Sequence, residues 1–157
     1  PASVQCAASG NKSDGELDSV CRDNLIRLKA QLPSFVDLKE NTLATNEFCN
    51  QFQGAICLLL YDRAAYRDKF SAVALQAMQC GAPIITVRDT WMGDLVSFHG
   101  SGELVDGNEI GELHSAVKKV RSNYTDYRKR AIAAGEKLAA IHQPESTLKL
   151  LSSAISR

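Results

Sequence analysis

LLLYDRAAYRDKFSAVALQAMQCGAPIIT, residues 58–86, passes from an apolar run through a polar loop into a helix and out to a second apolar run. The apolar run extends continuously from Ala55 to Tyr61, the pattern of a strand buried on both faces, so it is predicted to be a central strand of a parallel sheet. Val73, Leu75, Ala77 and Met78 predict a helix from Ser71 to Cys80. Gly81 closes it, where a left-handed cap costs little, and Pro83 stands just beyond. Ile84 to Val87 is the next buried strand.

The same alternation continues on both sides. Upstream, Val4 to Ala8 reads as a short strand ended by Ser9, Gly10 and Asn11. Asp18 or Ser19 can cap a helix carrying Val20, Leu25, Leu28 and Leu32, which Pro33 stops. Phe35, Val36 and Leu38 suggest a second strand, and Thr45 caps a short helix through Phe52. Downstream, Asp94 to Phe98 forms a helical turn and Glu103 to Val105 a last strand, bounded by Gly100, Gly102 and Gly107. Ile110, Leu113, Val117 and Val120 share one face of an amphipathic helix, a second helix runs from Tyr124 to about Ile141, and a third is predicted from Ser146 to Ile155 after Pro144. Strands alternating with helices predict an α/β fold, a doubly wound Rossmann-like parallel sheet with helices on both faces, whose ligands bind beyond the carboxyl ends of the strands. No linker interrupts the 157 residues, which are expected to form a single domain, with the Rossmann-like core in 1–122 and C-terminal helices in 123–157.

The loop between the two quoted strands has the chemistry of an anion site. Amides in the first turn of a helix lack internal partners and sit at the positive end of its dipole, so they hold phosphate oxygens well. Phe70, Ser71 and Ala72 are expected in that turn. Ser71 and Ala72 are small enough for a diphosphate to approach the main chain, and Arg67 and Lys69 add positive charge. Gln76 projects from the same helix face as Ala72, where its amide can bond vicinal hydroxyls of a ribose, and Asp68 can accept hydrogen bonds from a sugar. Tyr61 and Asp62 end the first strand, and Thr90 and Trp91 follow the second, so all four are candidates for the pocket wall. Plainer roles exist for each. Charged loops such as Arg67–Asp68 are often solvated, Ser71 can be a helix cap worth about 1 kcal/mol, and a single tryptophan often anchors a core.

Composition narrows the partners. Eighteen basic residues balance eighteen acidic ones, leaving no positive field of the kind that nucleic-acid binders use, so nucleic acid is not expected as a partner. The longest uninterrupted apolar run, Ala55 to Leu60, falls far short of the roughly 20 residues that cross a bilayer, and no signal-peptide pattern opens the chain, which predicts a cytoplasmic protein. The five cysteines (Cys6, Cys21, Cys49, Cys57, Cys80) form no C-x-x-C pair and are read as reduced thiols, Cys57 and Cys80 as small core residues. His99, His114 and His142 have no metal-like spacing, so no metal is expected. Lys118, Lys119, Arg121, Arg128, Lys129 and Arg130 could lie against anionic lipid, a peripheral contact at the inner membrane face, although a solvated helix face is the simpler reading.

The quoted stretch resembles the donor-binding signature of retaining GT-B glycosyltransferases of the family 4 type, where two glutamates flank a glycine-containing loop at a helix start. MQCGAPIIT, TWMGD and GSGELVD continue the similarity in order, strongest from Ala55 to Asp106. On that resemblance Asp68 falls on the first glutamate position, contacting the transferred sugar as the catalytic residue, and Gln76 on the second, contacting the ribose. Phe70, Ser71 and Ala72 fall on the loop whose amides hold the pyrophosphate. Aspartate and glutamine replace the two glutamates, and Lys69 and Ala72 stand where a glycine or similar small residue is usual. The resemblance implies the C-terminal, donor-binding half of an enzyme that moves a sugar from a UDP- or GDP-sugar to a saccharide or lipid-linked acceptor, as in polysaccharide biosynthesis. The transfer retains configuration and needs no cofactor or metal. The first strand–helix unit of this half and a whole N-terminal acceptor domain are then expected before Pro1, and the chain alone is expected to be inactive. The substituted glutamates leave an alternative, a non-catalytic interaction or regulatory domain on the same scaffold. A phosphoacceptor receiver domain fits less well, because SVQCAASG offers no acidic pair after the first strand.

Overall fold

The computed structural model describes residues 4–7, 19–39, 43–107 and 109–141. The chain divides into two compact units, Pro1–Thr45 and Asn46–Arg157. The helix predicted from Ser146 to Ile155 lies outside the described residues.

The first unit is a strand–helix–strand repeat. β1 (Val4–Ala7) pairs in parallel with β2 (Val36–Lys39), Val4 opposite Val36 and Ala7 opposite Lys39, and α1 (Ser19–Gln31) connects them. Parallel strands cannot be joined by a tight turn, and the helix supplies the crossover. A turn closed by the Val36 amide on the Pro33 carbonyl, 3.0 Å, returns the chain to the sheet.

The second unit follows α2 (Thr45–Asn50) with β3 (Cys57–Leu59), α3 (Ala72–Gln79), β4 (Ile84–Val87), α4 (Trp91–His99), β5 (Gly102–Val105), α5 (Ile110–Ser122) and α6 (Tyr124–Ile141). Its three strands are parallel in the order β3-β4-β5, with Cys57 opposite Ile84 and Ile84 opposite Gly102. Thr86 adds a side-chain bond across the sheet, its hydroxyl donating to the Leu59 carbonyl at 2.9 Å. The sheet advances in one direction from β3 to β5, so right-handed crossovers put α3 and α4 on the same face. Packing agrees. Ile84 points into a core with Ala74, Met78, Met92, Val96, Ala134 and Leu138, from α3, α4 and α6. Its neighbour Ile85 points the other way, to Val105, Ala116, Val120 and Tyr127. Helices therefore cover both faces, as the alternation in the sequence predicts.

Two expectations shift. Within this unit β4, buried at all four positions, is the central strand, while β3 pairs on one side only, with β4. Three residues of β3 are ordered as strand rather than seven, and Leu58 is 43% exposed. Ile110, predicted on the buried face of α5, is instead 83% exposed at its first turn, and Ala116 and Val120 carry the burial.

Backbone geometry accounts for the close packing. Gly81 ends α3 in the left-handed conformation, φ 77°, with its amide on Met78 and that of Ala82 on Ala77. Gly135 lets α6 press on the end of α3, for a β-carbon there would stand 2.6 Å from the Gln79 backbone.

One buttress ties β5 to α5 and α6. The Tyr127 hydroxyl donates to Glu103, whose other oxygen takes the Lys119 ammonium at 2.9 Å. Burial, reinforced by the Glu103 carboxylate, pushes the Tyr127 phenol from its ordinary 10 to about 12. A raised folded-state pKa gives stability that is complete below the unfolded value and is lost as pH rises through the folded one. Wild-type protein is therefore expected to lose about 2–3 kcal/mol between pH 10 and 12 through this group. Tyr127→Phe should flatten that decline while costing about 1 kcal/mol at neutral pH. Urea midpoints of both proteins across this range check it, and parallel curves would refute it.

Candidate functional site

The carboxyl ends of β3, β4 and β5 open onto loops 60–71, 88–90 and 106–107, where an open parallel sheet receives ligands. The first loop is the most elaborate. The Asp62 carboxylate accepts the Ala65 amide at 2.7 Å and its carbonyl accepts the Tyr66 amide at 3.0 Å, so the chain turns back at once. That turn stacks Tyr66 on Tyr61, ring centroids 4.2 Å apart at 12°. Burial above all, with Tyr66 and Cys57 adding, pushes the Tyr61 phenol up, against a hydrogen bond with Ser71 that pulls it down. Asp62 thus shapes the loop.

The far end of the loop is stapled to the start of α4. The Trp91 amide donates to the Arg67 carbonyl at 2.8 Å, and the Phe70 ring lies 5.1 Å from the Trp91 ring. Lys69 lies over Tyr66, its ammonium 5.2 Å from the ring centre. Arg67, Asp68, Lys69 and Phe70 are all exposed on this surface. Among the described residues, the Asp68 carboxylate has no hydrogen-bond or ion-pair partner, and neither Arg67 nor Lys69 pairs with a carboxylate.

α3 begins one residue later than its predicted start. Ser71, extended at φ −124° and ψ 109°, is the N-cap, its hydroxyl accepting the Ala74 amide at 3.3 Å. Removing that cap by Ser71→Ala is expected to cost about 1 kcal/mol in thermal unfolding. Leu75 donates to the Ser71 carbonyl. Among the described residues, the Ala72 and Val73 amides are left without acceptors, and Ala72 is exposed. The turn therefore presents two free donors at the positive end of a helix. Gln76 sits one turn on, half-buried. Thr90 is 1% exposed, its hydroxyl donating to Val87 at 2.8 Å and accepting from Gly93 at 3.0 Å, so it is the N-cap of α4 and holds Trp91 in place.

Reasoning from sequence passed over four charged residues of these loops. Arg63 reaches the Asp106 carbonyl at 2.5 Å and the Asp89 carboxylate at 3.4 Å, and Arg88 pairs with the Asp106 carboxylate at 2.8 Å. Glu112, from the first turn of α5, takes the Asp106 amide on both oxygens at 2.8 and 2.9 Å. All three loops are thereby joined at the strand ends. Asp89 holds a left-handed backbone, φ 56°, which aspartate tolerates better than most residues. The available signal was positional, a charged residue soon after each strand. Because Arg63 and Arg88 are spent on carboxylates and a carbonyl, the uncompensated positive charge of the first loop lies at Arg67 and Lys69. Among the described residues, no three His, Cys, Asp or Glu side chains gather as a metal site, and no helix is long and apolar enough to cross a membrane.

A parallel sheet flanked by helices, with a basic loop and an open helix start at its carboxyl edge, defines a Rossmann-like α/β domain. The family model described as glycosyl transferases group 1 matches residues 51–138, more than half of the chain, and the chain belongs to that family. The matched stretch spans β3 through most of α6 and contains the whole candidate site. No curated protein matches the chain. The family supports glycosyl transfer, and with it a nucleotide-sugar donor and an acceptor.

Proposed function

We propose that this domain binds the nucleoside-diphosphate part of a sugar donor, a UDP- or GDP-sugar, with the diphosphate against the Ala72 and Val73 amides. The observation that carries the reading is that helix start, open beside exposed Arg67 and Lys69 and, among the described residues, without an acceptor on either amide. Fixed donors aimed at a departing diphosphate stabilise the charge that builds as the glycosidic bond breaks, without reorganisation. Asp68, exposed in the same loop and without a partner among the described residues, accepts hydrogen bonds from hydroxyls of the transferred sugar. Gln76 takes the ribose, and the Phe70–Trp91 pair forms an apolar wall. Transfer then proceeds with retention and without a metal, to a saccharide or lipid-linked acceptor bound by a second, N-terminal domain of the same enzyme in the cytoplasm. The basic positions of α5 and α6 are the candidates for contact with the membrane face.

Titration of UDP and GDP, followed by amide chemical shifts, tests this. The largest shifts should fall at Lys69 to Val73, and addition of a divalent cation should leave the affinity unchanged. Absence of binding at millimolar nucleotide would instead favour a scaffold that has given up the donor and serves protein interaction.

A further inference from the structure

The donor edge leaves unused a second concavity, where the ends of α2 and α3 meet the start of α6. Cys49, Gln53, Gly54, Cys80, Tyr124 and Arg128 line a solvent-open cleft of about 430 Å³. Its walls are held from α6. The Tyr124 hydroxyl donates to the Ala55 carbonyl at 3.2 Å, and the Arg128 guanidinium to the Cys80 carbonyl at 3.4 Å. Two free, half-buried thiols thus line one accessible cleft beside a cation, with Cys49 near enough to Cys80 to push its thiol up. Cys57 differs. It packs against the core, where burial pushes its thiol up to about 12, which makes it inert.

We propose that Cys49 and Cys80 are a reversible oxidative modification site, a dithiol that a small-molecule disulfide such as glutathione disulfide converts to an intramolecular bond. The Cys49 thiolate attacks one sulfur of the oxidant, forming a mixed disulfide and releasing one glutathione thiolate, which takes up the proton Cys49 gave up. The Cys80 thiolate then attacks the Cys49 sulfur and expels the second glutathione in the same way. The pair loses two electrons and two protons, and the oxidant becomes two thiols. Burial and then Cys49 itself raise the Cys80 thiol, so Cys80 is given the second, resolving step. Once Cys49 is capped, its share of that effect is gone and Cys80 is freed to resolve the intermediate. The covalent ring so closed contains β3, the whole of loop 60–71 and α3, so the oxidation state of this pair encloses the segment assigned above to the donor. The proposal itself does not depend on that assignment.

The test is to hold the folded 157-residue chain in glutathione disulfide, alkylate the remaining thiols and map the digest by mass spectrometry. A peptide pair joined through Cys49 and Cys80, released by dithiothreitol, is expected. Cys57→Ser should retain the link, whereas Cys49→Ser and Cys80→Ser should abolish it and trap a mixed disulfide on the partner. Persistent mixed disulfides on both residues of the wild type, preferential cross-links to another cysteine, full alkylation of both thiols, or a link that appears only in denaturant would each overturn the proposal. The wild-type map decides the matter even if a serine variant fails to fold.

Discussion

Ala72→Pro is expected to lower nucleoside-diphosphate affinity about 10- to 100-fold while leaving thermal stability intact. Ala72 is the first residue of α3, a position where proline is favoured because its fixed φ suits a helix start and its missing N–H was unpaired. Ser71 before it is already extended, the conformation that a following proline demands. The substitution therefore deletes one of the two free amides and little else. A hydrogen bond to a charged group contributes about 1.5–3 kcal/mol, which sets the range. Calorimetric titration and a melting curve read the two halves of the prediction. Ala72→Gly, which keeps the amide, should bind as wild type. Unchanged affinity in the proline variant would remove the diphosphate from this turn.

Gly135→Ala is expected to destabilise the domain by about 1–2 kcal/mol, against the sign that helix propensity gives. Alanine in a helix interior is better than glycine by about 1 kcal/mol. Here the added methyl would stand 2.6 Å from Gln79 Cα and N and 2.8 Å from the Met78 carbonyl carbon, backbone atoms that cannot swing aside. Relief requires α6 to lift from α3, which opens the core around Met78, Ala134 and Leu138. Overpacking of this kind costs about 1–3 kcal/mol. Denaturant unfolding of the two proteins measures the difference. A variant more stable than wild type would show that the helices are free to separate.

The kinds and order of the elements were legible because apolar spacing reports which face of each segment is buried. Gly81 and Pro83 marked the end of α3, and the family signature marked the loop that the structure sets at the sheet edge. Less legible was how neighbours share the work. Seven apolar residues from Ala55 to Tyr61 yield only a three-residue strand, since periodicity does not say how many partners a strand has. α4 runs from Trp91 to His99 rather than from Asp94 to Phe98. Gly93 packs against the Val87 carbonyl, where a β-carbon would come within 2.7 Å, and Thr90 supplies the cap. The bonds of Arg63 and Arg88 to Asp106 join residues far apart in sequence, and only the fold brings such groups together. Ser71 was readable as either a cap or a ligand-facing residue, and its hydroxyl is committed to Ala74.

The resting of α6 on the end of α3 also bears on how the molecule is made. A nascent chain that has emerged only as far as β5 holds the residues of the proposed diphosphate turn, yet Met78 and Ala77 still lack the Ala134 and Leu138 surface that covers them. Maturation of the donor edge therefore waits on translation of the helix that follows it. A stall or stop codon before Tyr124 would yield a polypeptide carrying every candidate ligand-binding side chain and no settled pocket to hold them.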